Sequence, residues 1–392
     1  MMNSIVIVLL ALYIGWLLKP MFKKVGSIKI QLFLIALTVI HFSAALFFAY
    51  SLQNLTTVND PINFYNNAVE TSNWFSLFNI GSSFISFLIF PCVKLGISIE
   101  VLFLVFSTIS FKGILMYFEL IGLDNLAKKS NLLLLFYLTP SFHFWTGFLG
   151  KEALLLWLMV LLLKKVKMHT YDWWLFPIGG LLFLIRPHVF FVLLVAIALL
   201  FFTDNRFSKK LKMNVVLIGV LSFVVLVPVF LKFFLRIETL DSASIQLYVT
   251  NFLEITSNRG NTAISLTETT IFTRIFYLVL MPLPFLYDIK STLQWVVAIE
   301  NLYFLGVLIV IGVFVLKNSI KKYSLSNDLK FAGISAVLLI ILFGSYLYNL
   351  GLGNRMRIMF FPYLFYFLIS TMNEQRNTKI KTQSQTKNLN ED

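Results

Sequence analysis

Long apolar runs separated by short polar segments extend along almost the whole chain. Two of the longest, residues 30–52 and 213–235, contain enough apolar positions to form helices across the roughly 30 Å hydrocarbon layer of a bilayer. Neither run alternates apolar and polar positions as a membrane β-barrel strand does. The pattern therefore predicts an all-α polytopic integral membrane protein with about 11 to 13 transmembrane or re-entrant helices and loops on its outer face.

The composition agrees with a membrane protein and excludes several other classes. Apolar residues make up 58% of the chain and charged residues only 13%, with a mean hydropathy of +0.84, which is too apolar for a soluble protein. The single cysteine, Cys92, permits no intrachain disulfide and no cysteine-based metal site. The net charge of +14 comes from basic residues scattered between apolar runs. They form no continuous stripe of the kind that follows a phosphate backbone, so no nucleic-acid partner is predicted.

Most of the basic residues lie in clusters that indicate the orientation in the membrane. Short loops rich in Lys and Arg remain cytoplasmic. The clusters are at residues 19–29, 128–129, 164–167, 206–212, 317–322 and after residue 371. We therefore predict a multi-pass protein of the cytoplasmic (inner) membrane, with a membrane domain at 1–371 and outer-face loops at 53–75 and 236–293. The polar segment 372–392 lacks aromatic residues, and we predict a disordered cytoplasmic tail there.

Three stretches do not fit simple full-length crossings. The apolar run 270–289 is interpreted as an interfacial or partly buried element, because a crossing there would bring the basic cluster at 317–322 to the wrong side. Arg186, Pro187 and His188 interrupt another run, which predicts two short arms that tilt or re-enter. Residues 76–122 have the length of two helices. The loop with Asp60 is predicted outside and the basic cluster at 128–129 inside, so an odd number of crossings must lie between them. One of the two helices is therefore predicted to be short or re-entrant.

A second, sparser set of charges falls at the ends of the apolar runs that face away from the basic clusters. Ionisable residues at membrane depth are costly and usually face a bundle interior or a water-filled cavity, so the set predicts a functional site. Cations outnumber carboxylates in it, which favours an anionic ligand such as a phosphate or pyrophosphate. Its members are Asp60, Lys151, Glu152, Arg186, His188, Arg259, Arg274, Glu300, Arg355 and Arg357.

This mixture of residues suits transfer of a sugar from a lipid-phosphate carrier. Cations hold the phosphate leaving group, and a carboxylate removes the proton of the acceptor hydroxyl. We therefore predict that Asp60 and Glu152 are catalytic and that the remaining basic members bind the substrate phosphate. Those members are Lys151, Arg186, His188, Arg259, Arg274, Arg355 and Arg357. No metal and no cofactor are predicted.

Structural roles compete with these functional ones. Asp60 precedes Pro61, and Asn-Asp-Pro often starts a turn or caps a helix. Glu152 begins a helix, where an acidic residue is favoured by the helix dipole, whereas Lys151 is not. Arg186 is explained equally well as an interfacial residue with its charge in the headgroups, and a pair of arginines such as Arg355 and Arg357 can anchor a helix end.

The segment 59–68, with Asp60 followed by aromatic and small residues, resembles the first-loop motif of membrane glycosyltransferases of the C superfamily. That resemblance implies that Asp60, in the first outer loop, is catalytic. The segments 140–152, 186–188, 282–288 with 299–301, and 353–362 resemble blocks of bacterial multi-pass proteins associated with surface polysaccharides.

The chain also resembles O-antigen and capsular repeat-unit polymerases, which have about a dozen helices and arginines in two large outer loops. Arg259 and Arg274 lie in one such loop, and Arg355 and Arg357 in another, although the Arg-x10-Gly pattern of those loops is absent. Both resemblances imply a glycosyltransferase or polymerase for O-antigen, capsule or exopolysaccharide. It would use a polyprenyl-(pyro)phosphate-linked sugar, such as an undecaprenyl-phosphate-linked glycan, at the outer face. The implied partners are that glycan, membrane lipid and polysaccharide chain-length or export proteins. A flippase or transporter of lipid-linked glycans, or a non-catalytic assembly protein, remains the alternative.

Overall fold

The computed structural model of the protein describes most of the chain. The described residues are 1–53, 59–122, 134, 136–203, 208–210, 212–213, 241–257, 262–318 and 325–388. Within these ranges the regular structure is helical, and the only β-type pairing is an isolated bridge between Ala263 and Asn349. The predicted all-α fold is confirmed.

Fourteen α-helices and two short 3₁₀ turns, Trp74–Leu77 and Phe136–Leu138, lie in the described ranges. The α-helices in chain order are α1 Met2–Lys24, α2 Ile28–Gln53, α3 Asp60–Glu70, α4 Ser82–Lys94, α5 Ile99–Ile121, α6 Pro140–Thr146, α7 Lys151–Lys167, α8 Leu175–Ile185, α9 Pro187–Thr203, α10 Ser242–Ser257, α11 Ile271–Leu280, α12 Thr292–Asn318, α13 Asn327–Ser345 and α14 Leu350–Asn388.

Five of these helices, α1, α2, α5, α12 and α13, are long and apolar enough to cross a membrane. Helices α6 and α7 form a sixth candidate span that bends by 100° at the break between them, and α4, α8, α9 and α11 are shorter apolar helices. The protein is therefore a multi-pass membrane protein. These ten elements lie in the described part of the chain, and residues 214–235 of the predicted run 213–235 lie outside it.

The interruptions predicted from the sequence occur as breaks between helices. Arg186 follows the last residue of α8 with a non-helical backbone, and Pro187 starts α9. Helix α11 has 10 residues and is about 15 Å long, too short to cross the bilayer. Helix α4 has 13 residues, so it matches the short or re-entrant helix that was predicted within residues 76–122.

The carboxyl-terminal segment differs from the prediction of a disordered tail. Helix α14 continues through Asn388, so the predicted boundary at residue 371 falls within a helix. Extending an existing helix needs no new nucleation, which is the costly step, so even a polar sequence can continue one. Residues 389–392 lie outside the described chain.

Helix α7 is the central element of the bundle. Most of its side chains are buried, including Leu155, Met159 and Leu163, and it packs against α5, α8, α13 and α14. A Cβ on Gly113 of α5 would lie 2.9 Å from the Cα of Trp157, so a glycine is needed for this close approach.

The two ends of α7 differ in the charges around them. At its carboxyl-terminal end, Lys164 Nζ lies 3.6 Å and Lys24 Nζ 3.2 Å from the carboxylate of Glu119. Lys151 and Glu152 begin the helix at the other end, and Lys167 ends it. Since a helix rises 1.5 Å per residue, the two ends are about 24 Å apart, close to the thickness of the hydrocarbon layer.

Candidate functional site

Four of the predicted site residues meet where several helices begin or break. Asp60 is the first residue of α3, Glu152 is the second of α7, and Arg355 lies in the second turn of α14. Arg186 lies between α8 and α9. The amino-terminal ends of helices carry partial positive charge, so α3 and α7 both favour acidic groups at this place.

Glu152 is the centre of this charged cluster. Its side chain is fully buried, and its Oε1 accepts hydrogen bonds from Arg355 Nε at 2.6 Å and Arg186 Nη2 at 2.5 Å. Its Oε2 accepts a third from Arg355 Nη2 at 3.1 Å. The capping role considered for Glu152 is therefore not its main one, because its carboxylate is committed to two guanidinium groups. A buried carboxylate with two such partners is held in one position.

Asp60 lies at the exposed edge of the cluster. Arg355 Nη1 donates to Asp60 Oδ2 at 2.7 Å, and the Asp60 side chain is 47% exposed. The cap of α3 is Asn59, whose side chain accepts from the amide of Ile62. Asp60 therefore does not act as the cap, and the arginine holds a carboxylate that remains open to a ligand.

Three nitrogen atoms at the cluster have no hydrogen-bond partner among the described residues. Within the described ranges, Lys151 makes no hydrogen bond or salt bridge, and its Nζ lies 3.8 Å from an ideal Cβ placed on Gly81. Gly81 has a φ of +84° and its amide donates to Leu184 O at 2.7 Å. Arg186 Nε and His188 Nε2 are buried without a described partner. Buried polar nitrogens normally form hydrogen bonds, so these atoms are able to bind a ligand.

Aromatic rings complete the surroundings of the cluster. The Arg355 guanidinium lies 5.5 Å from the centre of the Phe148 ring, at the bend between α6 and α7, and 5.9 Å from that of Trp145, in the last turn of α6. His188 contacts the rings of Phe343 and Tyr346 edge to face. These contacts hold the Arg355 guanidinium and the His188 ring without using their hydrogen-bonding nitrogens.

Two of the predicted phosphate-binding arginines have structural roles instead. Arg274 donates to the backbone oxygens of Gly344, Leu266 and Thr269. Arg357 is buried and donates to Leu278 O at 2.7 Å, Asn301 Oδ1 at 2.5 Å and Met281 O at 2.6 Å.

The prediction that Arg274 and Arg357 bind phosphate is therefore corrected, because their donors join α11 and α12 to the rest of the bundle. Arg259 lies outside the described residues. Glu300, predicted in the same set, accepts from the amide and hydroxyl of Ser141 and is also separate from the cluster.

Other buried polar groups were not found from the sequence. His41 and His143 are fully buried, and their Nδ1 atoms lie 2.9 Å apart. The other nitrogen of each ring faces a backbone oxygen, of Ser107 at 3.0 Å and of Tyr137 at 2.6 Å. Histidines in separate apolar runs were the available signal, and their pairing joins α2 to α6.

The charged cluster combines a net positive charge with a half-exposed carboxylate. Lys151, Arg186 and Arg355 carry three positive charges, and Asp60 and Glu152 carry two negative ones, so the cluster favours an anion. In the described ranges no three His, Cys, Asp or Glu side chains come together as a metal site would require. Comparison with known proteins finds no matching family, no matching curated protein and no matching solved structure.

Proposed function

We propose that the protein is a membrane-embedded glycosyltransferase of surface polysaccharide assembly, which uses a sugar or repeat unit linked to a polyprenyl (pyro)phosphate. The charged cluster is its active site, and it opens to the outer face of the cytoplasmic membrane. This face is the one opposite the lysine-rich end of α7, which the abundance of basic residues assigns to the cytoplasm.

The reaction follows from the two kinds of group in the cluster. Asp60 accepts the proton of an acceptor hydroxyl as that oxygen forms a bond to the anomeric carbon of the donor sugar. The bond between the anomeric carbon and the phosphate oxygen breaks, and its electron pair leaves on the phosphate. Lys151 and the unpartnered donor of Arg186 stabilise the charge that develops there.

Glu152 has a positioning role in this scheme. It binds Arg186 and Arg355 at once, and Arg355 in turn orients Asp60. A carboxylate between two guanidinium groups is a poor base, because both partners favour its ionised form. We therefore assign base catalysis to Asp60 rather than to Glu152.

One observation carries the proposal. A half-exposed carboxylate is held by an arginine within the same charged cluster as a partly buried lysine that has no described hydrogen-bond partner. A cluster used only for stability would pair that lysine, since withdrawing an unpaired charge from water is costly. A group that binds phosphate during turnover must instead have donors free for it.

The test compares Asp60→Asn with Glu70→Gln, an acidic residue at the other end of the same helix, α3. Each variant replaces the chromosomal copy in the source organism, and the length distribution of its surface glycans is measured. We expect Asp60→Asn to abolish the product and Glu70→Gln to leave it unchanged. Chains of one repeat unit identify a polymerase, and loss of one sugar identifies a single-sugar transferase.

A second measurement separates transfer from transport. If lipid-linked intermediates of normal composition accumulate on the cytoplasmic side in the Asp60→Asn strain, the protein is a flippase and the proposal is wrong. Normal glycans in a strain that makes the Asp60→Asn protein at wild-type level also contradict it.

A further inference from the structure

A cavity at the start of α14 is lined by uncharged residues. Its volume is about 130 Å³, which is room for about ten water molecules or for one sugar ring. It lies between the loop before α12, the start of α12 and the start of α14. Its lining consists of Thr262, Pro282, Tyr287, Leu293, Gln294, Val297, Leu350, Gly351 and Asn354.

The polar groups of this cavity are suited to hydroxyl groups. Asn354 Oδ1 is buried and has no hydrogen-bond partner in the described chain. Gln294 Oε1 accepts from the amide of Lys290 at 2.7 Å, which leaves its amide nitrogen as a donor. Burial, and then the neighbouring Asp288 carboxylate, raise the pKa of Tyr287, so its hydroxyl stays protonated. Amide and hydroxyl groups beside an aromatic ring and aliphatic side chains are able to bind a sugar ring.

The walls of the cavity are held by hydrogen bonds independent of any ligand. Ile264 N donates to Tyr348 O at 2.7 Å, and Leu350 N donates to Thr262 O at 3.1 Å. On another side, Asn301 Nδ2 donates to Pro282 O at 2.8 Å. The cavity is therefore preformed, which lowers the entropic cost of binding.

The cavity and the charged cluster share one turn of helix. Gly351 lines the cavity, and Arg355 is four residues later in α14, so the two positions lie on the same face of the helix one turn apart. Asn354 directly precedes Arg355 in the chain. A molecule in the cavity would thus lie within about one helical turn, or about 5 Å, of the backbone of the arginine that holds Asp60.

We propose that this cavity binds a sugar ring of the acceptor glycan, an uncharged polyhydroxyl group, through Asn354 and Gln294. Its role as the acceptor subsite rests on the proposed function, since it would place a hydroxyl group near Asp60. The binding of a neutral sugar by the cavity does not depend on that assignment.

The test measures the thermal stability of the full-length protein in detergent with two kinds of probe. The first is a panel of neutral methyl glycosides at millimolar concentrations, and the second is inorganic pyrophosphate. We expect at least one glycoside to raise the Tm of the wild-type protein. Asn354→Leu and Gln294→Leu should each weaken its apparent affinity at least tenfold and leave the pyrophosphate response unchanged. Asn67→Leu, on the exposed face of α3, is the matched control and should change neither response.

Two results overturn the inference, and a third bears on the proposed function alone. A glycoside response that survives both cavity replacements, or a wild-type protein that responds to pyrophosphate and to no glycoside, contradicts the sugar cavity. A glycoside response that depends on Asn354 without any pyrophosphate response supports the cavity and contradicts phosphate binding by the cluster. If Asn354→Leu fails to fold, Gln294→Leu decides the matter.

Discussion

The buried contact between Glu152 and Arg355 makes a quantitative prediction about stability. Glu152→Gln removes the only buried carboxylate of the described cluster and leaves Lys151, Arg186 and Arg355 with Asp60 alone, which is half exposed. Arg355→Met removes one cation and leaves Glu152 with Arg186. Breaking a buried ion pair by removing one partner costs about 3–5 kcal/mol, and we expect Glu152→Gln to lie at the upper end of this range.

The size of the expected change in Tm follows from the chain length. A loss of about 4 kcal/mol divided by an unfolding entropy of about 2.1 cal/mol/K per residue lowers the Tm by about 5 °C. Asp60→Asn is the control, because it removes a single bond at a half-exposed carboxylate. It should cost less than about 1 kcal/mol and shift the Tm by about 1 °C. The assay is thermal unfolding of the purified protein in one detergent, followed by tryptophan fluorescence.

The double variant tests whether the two residues act as a pair. Once Glu152 is neutral, Arg355 no longer has a buried partner, so the second replacement should add little. We expect the double variant to cost about 2–3 kcal/mol less than the sum of the single variants. Additive effects, or an Arg355→Met variant less stable than Glu152→Gln, would refute the view that the contact is a tightly coupled buried pair.

Three further predictions concern helix packing, the buried arginine and membrane orientation. Gly113→Ala should destabilise the protein by about 1–3 kcal/mol because a Cβ would meet the backbone of α7. Gly180 has open space around it, so Gly180→Ala should be neutral or stabilising in the same unfolding assay. Arg357→Leu should cost about 3 kcal/mol or more by removing three buried hydrogen bonds, and a Tm equal to wild type would refute its structural role. A membrane-impermeant maleimide should label Asn66→Cys, near the cluster, in intact cells and label Met168→Cys only after lysis; the reverse pattern would place the cluster in the cytoplasm.

Much of the architecture was predictable from local patterns. Apolar runs predicted the helices. Arg186-Pro187 predicted the break between α8 and α9, because proline has no backbone N–H to donate within a helix. The separation of charges into two sets predicted that Glu152 and Lys164 lie at opposite ends of a helix. These inferences needed only the order of residues along one segment.

The partners of each charge were not predictable in the same way. Arg355 and Arg357 are two residues apart, so on a helix their side chains point about 200° away from each other. One contacts the cluster and the other contacts α11 and α12. Helical periodicity shows that they face different ways, but it does not show which face meets Glu152, because that depends on packing between distant segments.

The contacts of Arg355 also bear on how the protein is made. Its partners, Glu152 and Asp60, precede it by 203 and 295 residues. During synthesis both carboxylates are made long before their arginine, and until then the buried Glu152 has Arg186 as its guanidinium partner. Helix α14 therefore completes a charged cluster that α3 and α7 begin. A chain that stops before α14 leaves Glu152 with one guanidinium group in place of two, so it should be less stable in the membrane than the full-length protein.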